Sequence, residues 1–479
     1  MRKIFFQVHK ITGAIMSLMC LIWFLTGIVL IFTGYPHASR EKRFLHLETF
    51  SPQEIQNLQA PDSSFKGSVE LEKYLGQPVY RVSSGRKTQK VYNAQTLEPL
   101  KAFTIDQADQ LASSYTQSTS HKISISNQLD QWVPWSYYKT LLPFYKCYMN
   151  DDAHSVVYVS QKTGSIIQKT TRKERWIAYF SAIPHWVYFV SLRNQMGLWK
   201  TIMIILSVLG LLASISGIAV GIYRKKKNRI TPFKKFNYKW HHIFGYFFGV
   251  FVFTFILSGL ISITNIPDWM VGISRKEKIT WDQKLDLTKS KSIAPSAIYK
   301  AIKNKEGIRK IEWKTIFNTP YYLVYYNDYQ VPEAYFLKNG SVQPANEYEL
   351  SAIKKQAQEK FGKYNPEVSI RKGYDNYYSS NAMLYIPQIA YKVVLNDDAK
   401  TWLYINPQTG EEILRYNKNK RVRRWLYRAL HTFNFQFLKE MDWLRKTLLI
   451  IVSIAGIIIC YTGLILSKKF FKQILNIKS

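Results

Sequence analysis

The sequence predicts a membrane protein with an α-helical core of four transmembrane helices and two exported α+β domains, arranged as a tandem parallel duplication. Three observations predict it: four long, nearly uncharged apolar segments, large polar intervals between them, and a chain that superposes on itself.

The apolar segments cover residues 11–34, 201–223, 242–266 and 447–467. Some 20 apolar residues in a helix cross a hydrocarbon layer of roughly 30 Å, so each is expected to span a bilayer. At 479 residues the chain is too long for one core, and it divides around these spans. Residues 1–35 hold the first helix, 36–175 an exported domain, and 176–223 a pre-helix segment and the second helix. A basic loop at 224–240 leads to the third helix at 241–267 and a second exported domain at 268–420. Residues 421–467 hold another pre-helix segment and the fourth helix, and 468–479 form a tail. The first apolar run follows "MRK" but exceeds the roughly 7–15 residues of a secretory signal core, so it is expected to be a retained helix.

A formal net charge of +34 invites a nucleic-acid reading, which the placement of the charge opposes. "YRKKKNRITPFKKFNYKW" joins the second and third helices without one acidic residue, and the C-terminus reads "SKKFFKQILNIKS". Short basic segments beside membrane spans mark the cytoplasmic side. Both termini and the 224–240 loop are therefore expected in the cytoplasm of a bacterial inner membrane protein, with the two large loops periplasmic. The basic excess that remains on those loops reads first as solvated surface, and second as an attraction for anionic ligands. Cys20 and Cys460 lie in apolar helices and Cys147 stands alone in an exported domain, so no disulfide framework is expected.

The duplication is direct. A shift of 232 places carries "VHKITGAIMSLMCLIWFLTG" onto "WHHIFGYFFGVFVFTFILSG", with His9 on His241, Gly13 on Gly245 and Gly27 on Gly259. Both stretches close on a hydroxyl residue followed by glycine. A shift of 246 carries "NDDAHSVVYVSQKTGSII" onto "NDDAKTWLYINPQTGEEI", and then Arg175 onto Arg421, His185 onto His431, Gly210 onto Gly456 and Gly217 onto Gly463. Two in-to-out-to-in units in tandem are parallel repeats about an axis along the membrane normal, so equivalent residues lie at equal depth.

Within each exported domain, "HSVVYVSQKTGSII" and "KTWLYINPQTGEEIL" read as strand, Thr-Gly turn, strand. "GQPVYRVSSGRKTQKVYNAQTLEPL" and "TPYYLVYYNDYQVPEAYFLKNGSVQP" read as earlier hairpins of the same sheets. Residues 104–118 and 347–361 carry periodic apolar positions that suit one covering helix per domain. A strand-turn-strand of this kind, a basic-aromatic run, a histidine and a membrane helix together resemble the PepSY-associated transmembrane family. The His-x-x-x-Gly start and Thr-Gly finish of the first helix resemble that family's first helix, and the likeness covers nearly the whole chain. The resemblance implies PepSY-like exported domains, and it points to haem-containing ferric-siderophore reductases and iron-regulated inner-membrane proteins. The flavin reductase domain fused to some members of that family is not expected in this chain.

Five of the nine histidines lie near the lips of the apolar segments. Singly, each reads as an interfacial anchor. Paired by the repeat, His9 meets His241 on the cytoplasmic side and His185 meets His431 on the exported side. Two imidazoles facing across an axis are the geometry of a bis-histidine haem, which suits electron transfer. Two b-type haems are expected, with these four histidines as axial ligands of the iron. Gly13 and Gly245, one turn beyond their histidines, leave room for a macrocycle; alone they would read as helix-packing positions. His242 points about 100° away from His241 and is expected to support the site or a propionate. His37 has no repeat equivalent.

The expected reaction is one-electron transfer from a cytoplasmic or quinol donor to a ferric chelate or siderophore outside, with no catalytic acid, base or nucleophile singled out. "WVPWSYY" (132–138) and "YDNYYSSNAMLYIP" (374–387) either line a cleft for the acceptor or fill the domain cores. The doubled "NDDA" reads as a turn before it reads as a metal site of Asp151, Asp152, Asp397 and Asp398. The competing readings are a non-enzymatic membrane protein that binds or regulates a periplasmic partner or peptidase, and a permease. Four helices with almost no intramembrane charge argue against a transport path.

Overall fold

The computed structural model describes residues 2–84, 88–225, 229–275, 277–285, 287, 293–379 and 386–474. Four helices are long and apolar enough to cross a membrane: Arg2–Leu30, Met196–Arg224, Phe236–Ile263 and Asp442–Lys468, the last continuing to Ile474. They overlap the expected spans but begin earlier, the first by nine residues, because "RKIFFQVHK" continues the helical turn of the apolar run. Each neighbours two others in the cyclic order first, second, third, fourth, which leaves the first opposite the third. Ile11, Ile15, Leu18, Ile205, Leu212, Phe247, Val250 and Ile451 stay exposed on the outside, as a lipid-facing surface requires.

The middle of the bundle is closed by Met16, Cys20 and Phe24 of the first helix, Val252 and Ile256 of the third, and Cys460 of the fourth. Glycines let the helices close over the bulky members. A Cβ on Gly456 would stand 2.6 Å from the Phe24 ring, and one on Gly210 3.1 Å from Ile256. Such small-to-large contacts replace the hydrophobic driving force that helices in lipid lack.

Among the described residues, fifteen strands follow the first and third helices. They are β1 (Ser68–Tyr74), β2 (Gln77–Ser84), β3 (Thr88–Asn93), β4 (Ser120–Ser126), β5 (Phe144–Met149), β6 (Val156–Ser160) and β7 (Ile166–Thr170). After the third helix come β8 (Lys310–Ile316), β9 (Thr319–Tyr325), β10 (Glu333–Lys338), β11 (Ser341–Pro344), β12 (Glu367–Lys372), β13 (Ile389–Val394), β14 (Trp402–Ile405) and β15 (Glu412–Tyr416). The expected hairpins form, but not in the same sheets as the strands that follow them. β4-β5-β6-β7 and β12-β13-β14-β15 are separate four-stranded antiparallel sheets. The earlier hairpins instead merge into one seven-stranded sheet, β11-β10-β9-β8-β1-β2-β3. β1 and β8 would otherwise each present an open edge, and pairing them removes two templates for aggregation at once. Each four-stranded sheet has its covering helix, Ile105–Thr116 and Leu350–Phe361, the first opened by a Thr104–Gln107 capping box.

The joint between β1 and β8 carries buried charge. Glu70 lies opposite Glu312 in the register. Lys310 stands 3.4 Å from Glu70, Lys314 bridges Glu312 at 2.7 Å and Glu411 at 3.1 Å, and Arg81 grips Glu72 at 2.9 Å. Arg81 also donates to Ser165 at 2.8 Å, so the Thr-Gly turns of both four-stranded sheets dock on this layer. Burial raises the Glu70 carboxyl above the usual carboxylate range even beside Lys310. At Glu312 burial acts the same way, but Lys310 and Lys314 overcome it and hold the carboxyl below that range.

Candidate functional site

The first and third helices lie diagonally across the bundle, so residues at equal height on their inner faces meet at its centre. His9 and His241 do so at the end far from the sheets, with ring centres 6.0 Å apart and planes at 39°. At the sheet-side end His185 and His431 meet with centres 6.2 Å apart and planes at 69°. These two come from short helices that precede the second and fourth long ones, Ala182–Trp186 and Leu430–Thr432. Both short helices stop on a left-handed residue, Val187 (φ 51°) and Phe433 (φ 47°). A β-branched valine pays heavily for that conformation, which indicates that the surroundings dictate it.

Every imidazole is tied in the same manner. His9 Nδ1 lies 3.0 Å from the Ala213 carbonyl, and His241 Nδ1 lies 3.0 Å from the Ile459 carbonyl and 3.1 Å from Thr462 Oγ1. His185 Nδ1 lies 3.0 Å from Thr26 Oγ1 and 3.1 Å from the Trp23 carbonyl. His431 Nδ1 lies 2.9 Å from Ser258 Oγ and 3.3 Å from the Phe255 carbonyl. A carbonyl only accepts, so Nδ1 carries the proton and the lone pair is left on Nε2. That is the tautomer a metal-binding histidine needs.

Glycine backs each ring. A Cβ on Gly217 would come within 2.7 Å of His9 Cε1, on Gly463 within 3.3 Å of His241, on Gly27 within 3.5 Å of His185, and on Gly259 within 3.9 Å of His431. Gly245 opens onto free space, and a Cβ on Gly13 would meet only His9 itself, at 3.9 Å. Neither glycine thus crowds its histidine, and the glycines closest to the far rings, Gly217 and Gly463, sit on the neighbouring second and fourth long helices.

Among the expected site residues, His242 stands apart. Its ring packs between Phe233 (5.5 Å) and Tyr246 (6.5 Å, stacked), so His241 is the residue that faces His9. His37 only approaches the Tyr35 carbonyl, at 3.3 Å. Trp132, Val133 and Trp135 pack in a core with Tyr35 and Ile183, and Tyr374 and Tyr378 in one with Tyr404, so these aromatic stretches fill domain cores. Residues 380–385 of the second stretch lie outside the described residues. Asp151 and Asp397 accept from Ser155 and Thr401 at their own turns, as expected of turn residues. Asp398 accepts from the Ser274 and Arg275 amides.

Among the described residues, no group of three or more His, Cys, Asp or Glu stands ready to hold a bare metal ion. A pair of imidazoles suits a metal whose remaining positions are filled by a macrocycle. Two metal–nitrogen bonds of about 2 Å each place opposed ring centres roughly 6 Å apart, and both pairs have that spacing. The residues present therefore fit a bis-histidine haem at each end.

No curated protein matches the chain. The family model for the PepSY-associated TM region matches residues 6–466, from the turn before His9 to within the last turns of the fourth long helix. With four apolar helices and separate β-sheet regions on that footprint, the chain is a multi-pass membrane protein that belongs to the PepSY-associated TM-region family.

Proposed function

We propose that this protein is a transmembrane electron carrier of the ferric-chelate reductase type, with one b-type haem held by His9 and His241 and a second by His185 and His431. The observation that carries the reading is the double pairing: opposed, glycine-backed imidazoles with fixed Nδ1 protons at both ends of one bundle. A haem with two imidazole ligands supplies one-electron transfer and offers no open position to oxygen. His9 and Thr26 are 17 residues apart on one helix, about 26 Å at 1.5 Å per residue. One pair therefore serves each membrane surface.

The reading includes a tandem duplication, since the ties recur at the sequence offsets. Ala213 and Ile459 hold the far histidines, and Thr26 and Ser258 the sheet-side ones. It also includes an orientation set by the basic 224–240 loop, with both termini in the cytoplasm and the sheets in the periplasm of an inner membrane. With haem bound, the far pair would be the end that a quinol or a separate reductase could reach, and the sheet-side pair the end nearest a ferric chelate. Reduction to Fe(II) loosens the hold of hard oxygen ligands, which favour the smaller, more charged ion.

The test is optical. Protein purified in detergent from haem-sufficient cells is expected to be red, with a low-spin b-type spectrum that sharpens on reduction. His9→Ala and His431→Ala are each expected to remove half of the haem. A colourless preparation overturns the proposal.

A further inference from the structure

The two four-stranded sheets carry the same basic pair around different contents. On the second sheet Lys392 of β13 lies 3.6 Å above the ring of Trp402, and the Arg421 guanidinium lies 4.1 Å from it. Two cations lie over the indole. Arg421 is anchored by donating to the Lys400 carbonyl at 2.7 Å.

On the first sheet the registers match. Lys146 faces Tyr158 as Lys392 faces Tyr404, and Val156 faces Thr170 as Trp402 faces Tyr416. Arg175 donates to the His154 carbonyl at 2.9 Å, the counterpart of the Arg421 anchor. The residue in the place of Trp402 is Val156. Where the indole would lie there is a cavity of about 280 Å³, lined by Lys146, Tyr148, Val156, Tyr158 and Arg175, with His121 and His154 exposed at its rim.

Charge and geometry specify what the cavity accepts. Lys146 is already paired with Asp130 at 2.7 Å, and Asp130 also accepts from Tyr158 at 2.8 Å. Arg175 uses its edge on Thr170 and on the His154 carbonyl, so its face is what remains to offer. A guanidinium face and an ammonium attract the negative face of an aromatic ring, and an electron-rich ring most strongly. We propose that this cavity binds an electron-rich planar aromatic ring, a phenol or catechol, held against Lys146 and Arg175 as Trp402 is held against Lys392 and Arg421. The second sheet carries its own occupant; the first takes one from solution. The proposal does not depend on haem.

The test uses the full chain in detergent, with catechol as probe and cyclohexane-1,2-diol as the non-aromatic control. Calorimetry and saturation-transfer NMR follow binding. One saturable catechol per chain is expected, with the diol not competing. Val156→Trp supplies the missing indole and is expected to weaken catechol binding by about tenfold or more, with Arg175→Gln acting in the same direction. Trp402→Val is expected to open a second site and raise the stoichiometry to two. No saturable binding to the unaltered chain, equal binding of the diol, or undiminished binding in both Val156→Trp and Arg175→Gln overturns the proposal. Arg175→Gln keeps the test decisive if Val156→Trp does not fold.

Discussion

The far and sheet-side histidine pairs have nearly the same ring spacing, yet they are built from different materials. His9 and His241 belong to long helices, and their Nδ1 partners, the Ala213 and Ile459 carbonyls and the Thr462 hydroxyl, all sit on the neighbouring long helices. Helix packing alone fixes them. His185 and His431 ride on helices of a few residues that hang from the strands β7 and β15, and they reach across to hydroxyls of the first and third long helices. The aromatic rings of Phe255 and Tyr427 flank His431 at 5.9 Å and 5.7 Å. The far pair is thus a property of the bundle, while the sheet-side pair registers how the sheets sit on it.

Four substitutions test this division. Gly217→Leu has the largest expected effect, because even a Cβ there would stand 2.7 Å from the His9 ring. It should abolish the far haem signal and leave half of the absorbance. Gly259→Ala, whose Cβ would meet His431 Cε1 at an ordinary contact of 3.9 Å, should leave both signals intact. Next, Arg81→Met leaves Glu72 buried without its partner, which typically costs about 3–5 kcal/mol. Its unfolding should begin in the sheets and broaden the sheet-side signal before the far one, as followed by thermal melts at haem wavelengths. If both signals fade together, the proposed independence of the far pair is wrong.

Thr26→Val removes one Nδ1 partner of His185 but keeps the Trp23 carbonyl. A loss of about tenfold in haem retention at the sheet-side pair is expected, the low end for an outer-shell change. The far pair, which takes nothing from Thr26, is the internal control in a haem-transfer assay with apomyoglobin. The smallest effect concerns pH. Burial places the folded-state pKa of Glu70 and Glu411 above the ordinary carboxylate value. A raised pKa contributes stability that is present at low pH and is lost as pH rises through it. The melting temperature should therefore rise modestly from neutral pH toward the ordinary carboxylate range. Below that range it should fall, as Glu312, whose pKa is lowered, takes up its proton. Glu70→Gln should flatten the rise without removing the fall.

Much of this was legible in the residues, and the self-similarity of the sequence is the reason. The offsets 232 and 246 paired His9 with His241 and His185 with His431 before any geometry was known, and helices long enough to span a bilayer declare themselves by composition. The glycines were visible too, but Gly217 and Gly463 served only as markers of register. Their role depends on which helix each histidine crosses to, and that is a tertiary choice. The merged sheet was hidden for the same reason. β1 and β8 lie some 240 residues apart, and nothing in either strand names the other as its neighbour. Val156 and Trp402 align in the repeat, yet their difference acquires meaning only when Lys392 and Arg421 are seen on the indole.

The closed middle of the bundle has a consequence for the membrane itself. Phe24 sits in the notch of Gly456 and Ile256 in that of Gly210, with Met16 1% exposed between the two histidine pairs. Side chains interlocked this tightly close the middle of the bundle between its two ends. With the proposed haems at its two ends, a bundle closed in this way would separate two currents, passing electrons while blocking the protons that move along water.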